Sequence, residues 1–353
     1  MRFSFSRAAL GLCWLLGLSG CGEGFDPGSE VKTLRVLGVH KDKPYPRPGE
    51  DVTLTLLWTD GSGDARPDPV QVTWLRAGDD AAPKPACVNP EGDLYYGCFA
   101  KFGLDTGLLS GNTFKFQVPP DIVSKRPASM PGQPHYGLIY AFFAVCAGEL
   151  HFEPSSQEGA VPLACRNSQG VKLGPDDFVV GYTSLYVFDD PDVQNQTPVV
   201  MQGLEVAGQT LPSDCIGPDC MGPDQPISFD DTDPIDCEAD SARCFPSCKD
   251  DGDDTCPKIN FRPLLNSDIA ERDDVSAKYY ERAVGEQMWI NYYADRGGLK
   301  SEARLLNDAT TGWNDDYGTS FYAPKEPGLV TIWSVVHDNR GGANWVRARL
   351  RIQ

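Results

Sequence analysis

The chain is poor in histidine, the residue that enzymes most often use to move protons. Its 353 residues hold four histidines, His40, His135, His151 and His337, all far apart. It has no His-Glu-x-x-His pair for zinc proteolysis, no Gly-x-Ser-x-Gly elbow, no phosphate loop and no dinucleotide fingerprint. No catalytic residues are assigned, and the chain is read as a non-enzyme. Positive charge is also scarce: 31 Lys and Arg stand against 50 Asp and Glu, a formal charge of -19. Such a surface repels nucleic acid and anionic headgroups and attracts divalent cations. The opening apolar run, Ala8 to Leu18, is too short to cross a bilayer, which takes about 20 residues.

That run has a different use. It follows Met1, Arg2 and Arg7 and ends in Leu18-Ser19-Gly20-Cys21, so a basic start, an apolar stretch and a small-residue cut site come in secretory order. The segment resembles the bacterial lipoprotein signal, Leu-[Ala/Ser]-[Gly/Ala]-Cys. The resemblance implies cleavage between Gly20 and Cys21, a diacylglyceryl thioether on Cys21, and a further acyl chain (palmitate in many members) on the new amino terminus. Several acyl chains anchor firmly, at about 0.8 kcal/mol per buried methylene. Gly22 rather than aspartate follows the cysteine, which in that family favours the outer membrane, on its periplasmic face or at the surface. Gly22 to Glu30 reads as a short tether.

Twelve cysteines occur; Cys13 leaves with the leader and Cys21 carries lipid. The remaining ten, Cys87, Cys98, Cys146, Cys165, Cys215, Cys220, Cys237, Cys244, Cys248 and Cys256, are expected as five disulfides in an oxidising compartment. Cys87–Cys98 and Cys146–Cys165 are each isolated in sequence and should pair. The last six pair among themselves in one of fifteen ways. Cys215–Cys220 is favoured, and the other partners stay open.

Strand signals dominate. "DVTLTLLW" alternates Val52, Leu54, Leu56 and Trp58 with threonine, "VQVTW" and "FKFQV" repeat the pattern, and "FVVGYTSLYVF" continues it. "YGLIYAFFAVC" (136–146) is nearly all apolar, as for a strand buried on both faces. The second half echoes the first. "RPGEDVTLTLLWTD" matches "AVGEQMWINYYADR", setting Val52, Leu54, Leu56 and Leu57 on Met288, Ile290, Tyr292 and Tyr293. "KTLRVLGV" likewise matches "PVVMQGLEV". The chain ends in "GLVTIWSVVHD" and "NWVRARLRI", joined through Asn339-Arg340-Gly341-Gly342, whose paired glycines are expected to supply positive φ. Alternation puts Val346, Ala348, Leu350 and Ile352 in the core. It puts Trp345, Arg347, Arg349 and Arg351 on the opposite face, expected as an exposed charged face, a site for an acidic partner, or a dock for the acidic insertion.

The Pro-Gly-Glu-x-Val-Thr-Leu opening and the "PGLVTIWSVVHDNRGG" hairpin resemble bacterial immunoglobulin-like (PKD-like) sandwiches, of the kind found in surface lipoproteins of myxobacteria. The resemblance covers about two-thirds of the chain and implies a fold and a compartment, not an activity. Cys146 lies on an expected strand and Cys165 in the loop after it, so the core disulfide of antibody domains is not expected. The reading is all-β, with two tandem immunoglobulin-like β-sandwiches. The segments are a signal peptide (1–20), a lipidated tether (21–30), a first domain (31–190), a linker (191–197) and a second domain (198–353). The linker belongs to a polar, proline-containing stretch, "DDPDVQNQT". A Cys-rich acidic insertion occupies about 211–260, and a marginal helix is expected near 267–282.

Between Ser213 and Pro257 thirteen carboxylates face only Arg243 and Lys249. Asp230, Asp231, Asp233, Asp250, Asp251, Asp253 and Asp254 offer oxygens for calcium, yet neither run has an EF-hand's glycine and closing glutamate in place. Zinc on Cys244, Cys248 and Cys256 is disfavoured where thiols are oxidised. No cofactor is therefore assigned, and a disulfide-stapled, solvated acidic loop is favoured over calcium. The functional expectation is a lipid-anchored envelope protein, a non-enzymatic binding or structural module. Its partners would be membrane lipid through Cys21 and another envelope protein or a glycan, with no nucleic acid. The alternatives are a calcium-dependent adhesin or glycan binder, and a hydrolase with its site on the inserted loops.

Overall fold

The structure, a computed structural model, describes residues 28–62, 66–79, 81–95, 97–98, 106–127, 134–153, 161–198, 200, 203–220, 235–249 and 256–353. The leader, Gly20, Cys21 and all seven candidate calcium aspartates lie outside the described residues. Among the described residues the fold is all-β with one short α-helix. In the N-terminal half the strands are β1 (Leu34–Lys41), β2 (Asp51–Asp60), β3 (Gln71–Ala77), β4 (Lys84–Pro85), β5 (Cys87–Val88), β6 (Thr106–Ser110), β7 (Thr113–Gln117), β8 (Tyr136–Cys146), β9 (Glu149–Phe152), β10 (Leu163–Arg166) and β11 (Phe178–Phe188). The C-terminal half adds β12 (Leu204–Val206), β13 (Gln209–Leu211), β14 (Cys215–Ile216), β15 (Cys244–Phe245), β16 (Lys258–Pro263), the helix α1 (Asp274–Tyr280), β17 (Met288–Ala294), β18 (Gly298–Leu299), β19 (Ala303–Asp308), β20 (Gly312–Trp313), β21 (Thr319–Tyr322), β22 (Gly328–Asp338) and β23 (Ala343–Ile352). Asp273 caps α1 by accepting the Ser276 N–H at 2.9 Å, which starts the helix inside the stretch where a marginal one is expected.

Each half is built on two facing sheets, and the first half adds a separate two-stranded β9–β10 ladder. The first half pairs β1–β2–β7 against β11–β8–β3, with β4 and β6 both on β3; the second pairs β13–β12–β16–β21–β18 against β23–β22–β17–β19–β20. The strand orders correspond. β1, β2 and β7 match β12, β16 and β21, while β11, β8, β3 and β6 match β23, β22, β17 and β19. This corrects the sequence alignment of β2 with β17. The counterpart of β2 is β16, that of β17 is β3, and the Gly-Glu match joins strands of opposite sheets. Period 2 reports that a strand has an apolar face and is silent on which neighbour it pairs with.

The central strands bury as their patterns require. β8 is covered on both sides: Ile139, Ala141, Phe143 and Val145 enter the core between the sheets, and Leu138, Tyr140, Phe142 and Ala144 lie under a second cluster with β9 and β10. Cys165 lies on β10, not in a loop, and its disulfide to Cys146 fastens that short ladder over β8. All five disulfides form: the two isolated pairs, Cys215–Cys220, and, resolving the open pairings, Cys237–Cys244 and Cys248–Cys256.

The halves share apolar core. Val346, Ala348, Leu350 and Ile352 line the core of the second half, as alternation requires. Trp345 does not face solvent: it is fully buried, together with Trp333 and Val335 of β22, in the same cluster as the first half's Leu54, Leu56 and Leu57. β1 makes room with a bulge at Leu37, after which Gly38 meets the tryptophan; a Cβ there would sit 3.4 Å from Val335 and 3.8 Å from the Trp345 ring. The sequence reading of Trp345 fails because this end of the β23 face opposite the second-half core is buried against the first half, while Arg347, Arg349 and Arg351 on the same face are half-buried.

Candidate binding surface

The turn between β22 and β23 brings the halves together in polar detail. Asp338 Oδ1 accepts the N–H groups of Arg340 and Gly342, both at 2.8 Å, closing the loop from inside. Only Gly341 has positive φ, +99°; Gly342 is needed for closeness, since a Cβ would fall 2.2 Å from Asp338 Oδ2. Arg340 points back into the junction. It donates to Glu286 Oε2 at 3.1 Å through Nε, to Glu271 Oε2 at 2.7 Å, and to the Gln194 carbonyl at 2.9 Å. Its side chain and that of Glu286 are almost wholly buried, and burial pushes the Glu286 carboxyl up to about 7 against the pull of Arg340. The polar stretch expected as a linker is thus fixed by the hairpin: Gln194 receives Arg340, and buried Asn195 reaches Asp338 at 3.3 Å.

Lys41, at the end of β1, is buried beside the same turn and donates to the Ser184 carbonyl of β11 at 2.7 Å. Burial pushes its ammonium down to about 8, with Asp338 pulling the other way. His337 stacks on Trp289 with ring centres 5.3 Å apart, and burial holds its imidazole down to about 4. His337-Asp338 is therefore turn and packing chemistry.

From this junction a row of aromatic rings runs along the outward face of β11. Tyr45 packs on Phe188 at 4.9 Å, Tyr136 on Tyr186 at 5.3 Å, Tyr140 on Tyr182 at 5.4 Å, and Tyr182 stacks on Tyr95 at 4.6 Å. Tyr182 and Tyr186 stay 46% and 36% exposed, although aromatic surface of this kind is normally buried. At the near end Tyr45 and Phe188 open into a cleft of about 680 Å³, whose wall includes Asp192, Glu271, Asp273 and Arg340. The signal was present in "FVVGYTSLYVF", whose alternate positions Phe178, Val180, Tyr182, Tyr186 and Phe188 are apolar where an edge strand usually turns polar residues outward. Sequence reasoning read the run as a strand and drew nothing from its outward tyrosines.

The Cys-rich insertion lies along the other side of β23. β14 pairs antiparallel with Val346 and Arg347, and β15 pairs parallel with Arg351 and Ile352, so the described parts of the insertion cover the strand's outer edge. Asp214 accepts the Arg349 N–H and an Arg243 guanidinium N–H, both at 2.8 Å, and Arg243 also pairs with Asp240 at 3.1 Å. Of the arginine stripe, the Arg349 side chain meets this segment, with Nε 3.4 Å from Asp214 Oδ2. Among the described residues no group of three His, Cys, Asp or Glu side chains is placed to hold a metal ion.

The remaining histidines stand apart. His135 Nε2 lies 3.1 Å from the Arg126 carbonyl oxygen, His40 contacts the Ala343 carbonyl oxygen and packs edge-on to Trp345, and exposed His151 lies 3.8 Å from Glu149. A second, polar cleft of about 480 Å³ on the C-terminal half is lined by Glu205, Arg262, Lys300, Arg304 and Asp316 among others. Its ion pairs Arg262–Glu205 and Arg304–Asp316 are closed on one another, at 2.8 and 2.7 Å.

No protein-family model matches the chain. No curated protein matches it. Among solved structures, dimeric latent PorU from Porphyromonas gingivalis is 11% identical over 92% of this chain, with a TM-score of 0.15, and the chain spans 24% of PorU. The three N-terminal domains of the bacteriophage RB49 Highly Immunogenic Outer Capsid protein are 10% identical over 91% of this chain and 99% of that one, again with a TM-score of 0.15. A TM-score of 0.15 is too low for either to inform the fold or the function.

Proposed function

We propose that the chain is a lipid-anchored cell-envelope protein of two immunoglobulin-like sandwiches, 31–190 and 198–353, and that it works as a non-enzymatic binding module. The observation that carries the binding role is the exposed tyrosine row running into the junction cleft, because a purely structural spacer has no need to keep aromatic rings in water. The matching strand orders of the two halves support the sandwich reading. Export is supported by the five disulfides, which persist in oxidising compartments. Anchoring rests on the Leu18-Ser19-Gly20-Cys21 box. The test is fractionation of cells making the wild type or Cys21→Ala: the wild type should sediment with membranes and the variant should be released. A variant that stays membrane-bound sinks the anchoring.

A further inference from the structure

We infer that the tyrosine row of β11 and the cleft it enters form a docking groove for an extended, Lys/Arg-rich segment of a partner polypeptide. The inference rests on the binding-module reading and gives it a ligand class. Of the nine exposed large apolar side chains among the described residues, three lie on β11. What β11 itself exposes is Tyr182, Tyr186 and a single aliphatic, Val180. Aromatic faces attract guanidinium and ammonium groups through the ring quadrupole. The row already shows this preference within the fold, with the Arg126 guanidinium 4.2 Å over the Tyr136 ring and that of Arg340 5.9 Å from the Tyr45 ring.

Charge points the same way. Where β11 ends, Asp189, Asp190 and Asp192 are exposed and make no ion pair among the described residues, and Asp192 lines the cleft with Tyr45 and Phe188. The neighbouring cations are already committed. Arg126 pairs with Asp93 at 2.5 Å, Arg47 donates to the Phe188 and Pro191 carbonyls at 3.2 and 3.1 Å, and Arg340 is held by Glu271. A cationic strand meets three exposed carboxylates here, of which Asp190 also accepts the Asp192 N–H at 3.0 Å, whereas an anionic glycan or nucleic acid meets like charge. The spacing also fits. Tyr182 and Tyr186 are four residues apart on one strand face, about 13 Å, and an extended peptide puts its own residues i and i+4 at the same separation on one face.

The experiment is calorimetric titration of the detergent-solubilised full chain with octa-arginine, octa-lysine and a neutral glucose hexamer at 150 mM salt. Octa-arginine should bind more tightly than octa-lysine, because the planar guanidinium stacks better. Tyr182→Ala/Tyr186→Ala should weaken octa-arginine about tenfold or more. Tyr182→Phe/Tyr186→Phe, which keeps the rings, should bind as the wild type does and shows that the fold is intact. Asp189→Asn/Asp190→Asn/Asp192→Asn should weaken both peptides and flatten their salt dependence. Equal affinity for both peptides, unchanged in the alanine variant, would assign the attraction to the acidic insertion and overturn the inference. Hexamer binding lost in the alanine variant while octa-arginine binding persists would make the row a sugar platform, overturning the ligand class and leaving the binding module standing. Binding of none of the three probes also overturns it.

Discussion

Replacing Trp345 with alanine tests the junction between the halves. The side chain is fully buried in the cluster shared with Trp333 and Val335, with Gly38 and the His40 ring against it. Deleting a buried tryptophan costs about 3–5 kcal/mol through lost transfer energy and the cavity left behind. An outward-facing tryptophan, as alternation along β23 alone implies, would cost within about 0.5 kcal/mol. Urea unfolding followed by far-UV circular dichroism separates the two. The account expects the midpoint to fall by the larger amount and the single transition to split, because the weakened contact is the one that couples the halves. Arg351→Ala on the same strand face serves as control; it lies where β15 pairs, away from that cluster, and should cost far less. A Trp345→Ala loss below about 1 kcal/mol, with one unbroken transition, refutes the shared core.

Lys41→Met removes a buried ammonium whose folded pKa is about 8 against 10.5 in the unfolded chain. Between those values the unfolded state binds more protons, so wild-type stability climbs with pH at up to about 1.4 kcal/mol per unit, and the variant should lack that climb. Parallel stability-against-pH curves would refute the buried charge. Cys146→Ser/Cys165→Ser opens the loop of sequence separation 19 that ties β10 over β8 and should cost about 3 kcal/mol in thermal unfolding; no loss would mean the ladder is held by packing alone. Gly342→Ala forces a Cβ to 2.2 Å from Asp338 Oδ2 and should cost about 1–3 kcal/mol, where Ala at an uncrowded turn position would be mild. An unchanged melting temperature would contradict the turn geometry.

Much of the architecture was legible in the chain. β2, β8, β11, β22 and β23 each follow runs of alternating or continuous apolar residues, and the disulfide-linked Cys-rich stretch lies between β12 and β16. Cys87–Cys98 and Cys146–Cys165 follow from isolation alone. Pairing was not legible, because alternation gives a strand its faces and not its neighbours. The Gly-Glu match therefore took β2 and β17 as counterparts, although they hold places in different sheets of their halves. Trp345 was misjudged, and the exposure of the β11 tyrosines went unread, because both depend on long-range packing: Trp345 is buried against the other half of the chain, and among the described residues Tyr182 and Tyr186 are left partly uncovered. The hub Arg340–Glu286–Glu271 joins residues 54 and 69 positions apart, which no local pattern marks.

The most direct test of the proposed location and chemistry is the intact mass of the chain extracted from membranes under non-reducing conditions, before and after alkylation. The account predicts the mass of residues 21–353 plus a diacylglyceryl group and an acyl chain, less ten hydrogens for the five disulfides, with no mass added by the alkylating reagent. A mass that retains residues 1–20, lacks the lipid, or rises on alkylation contradicts it.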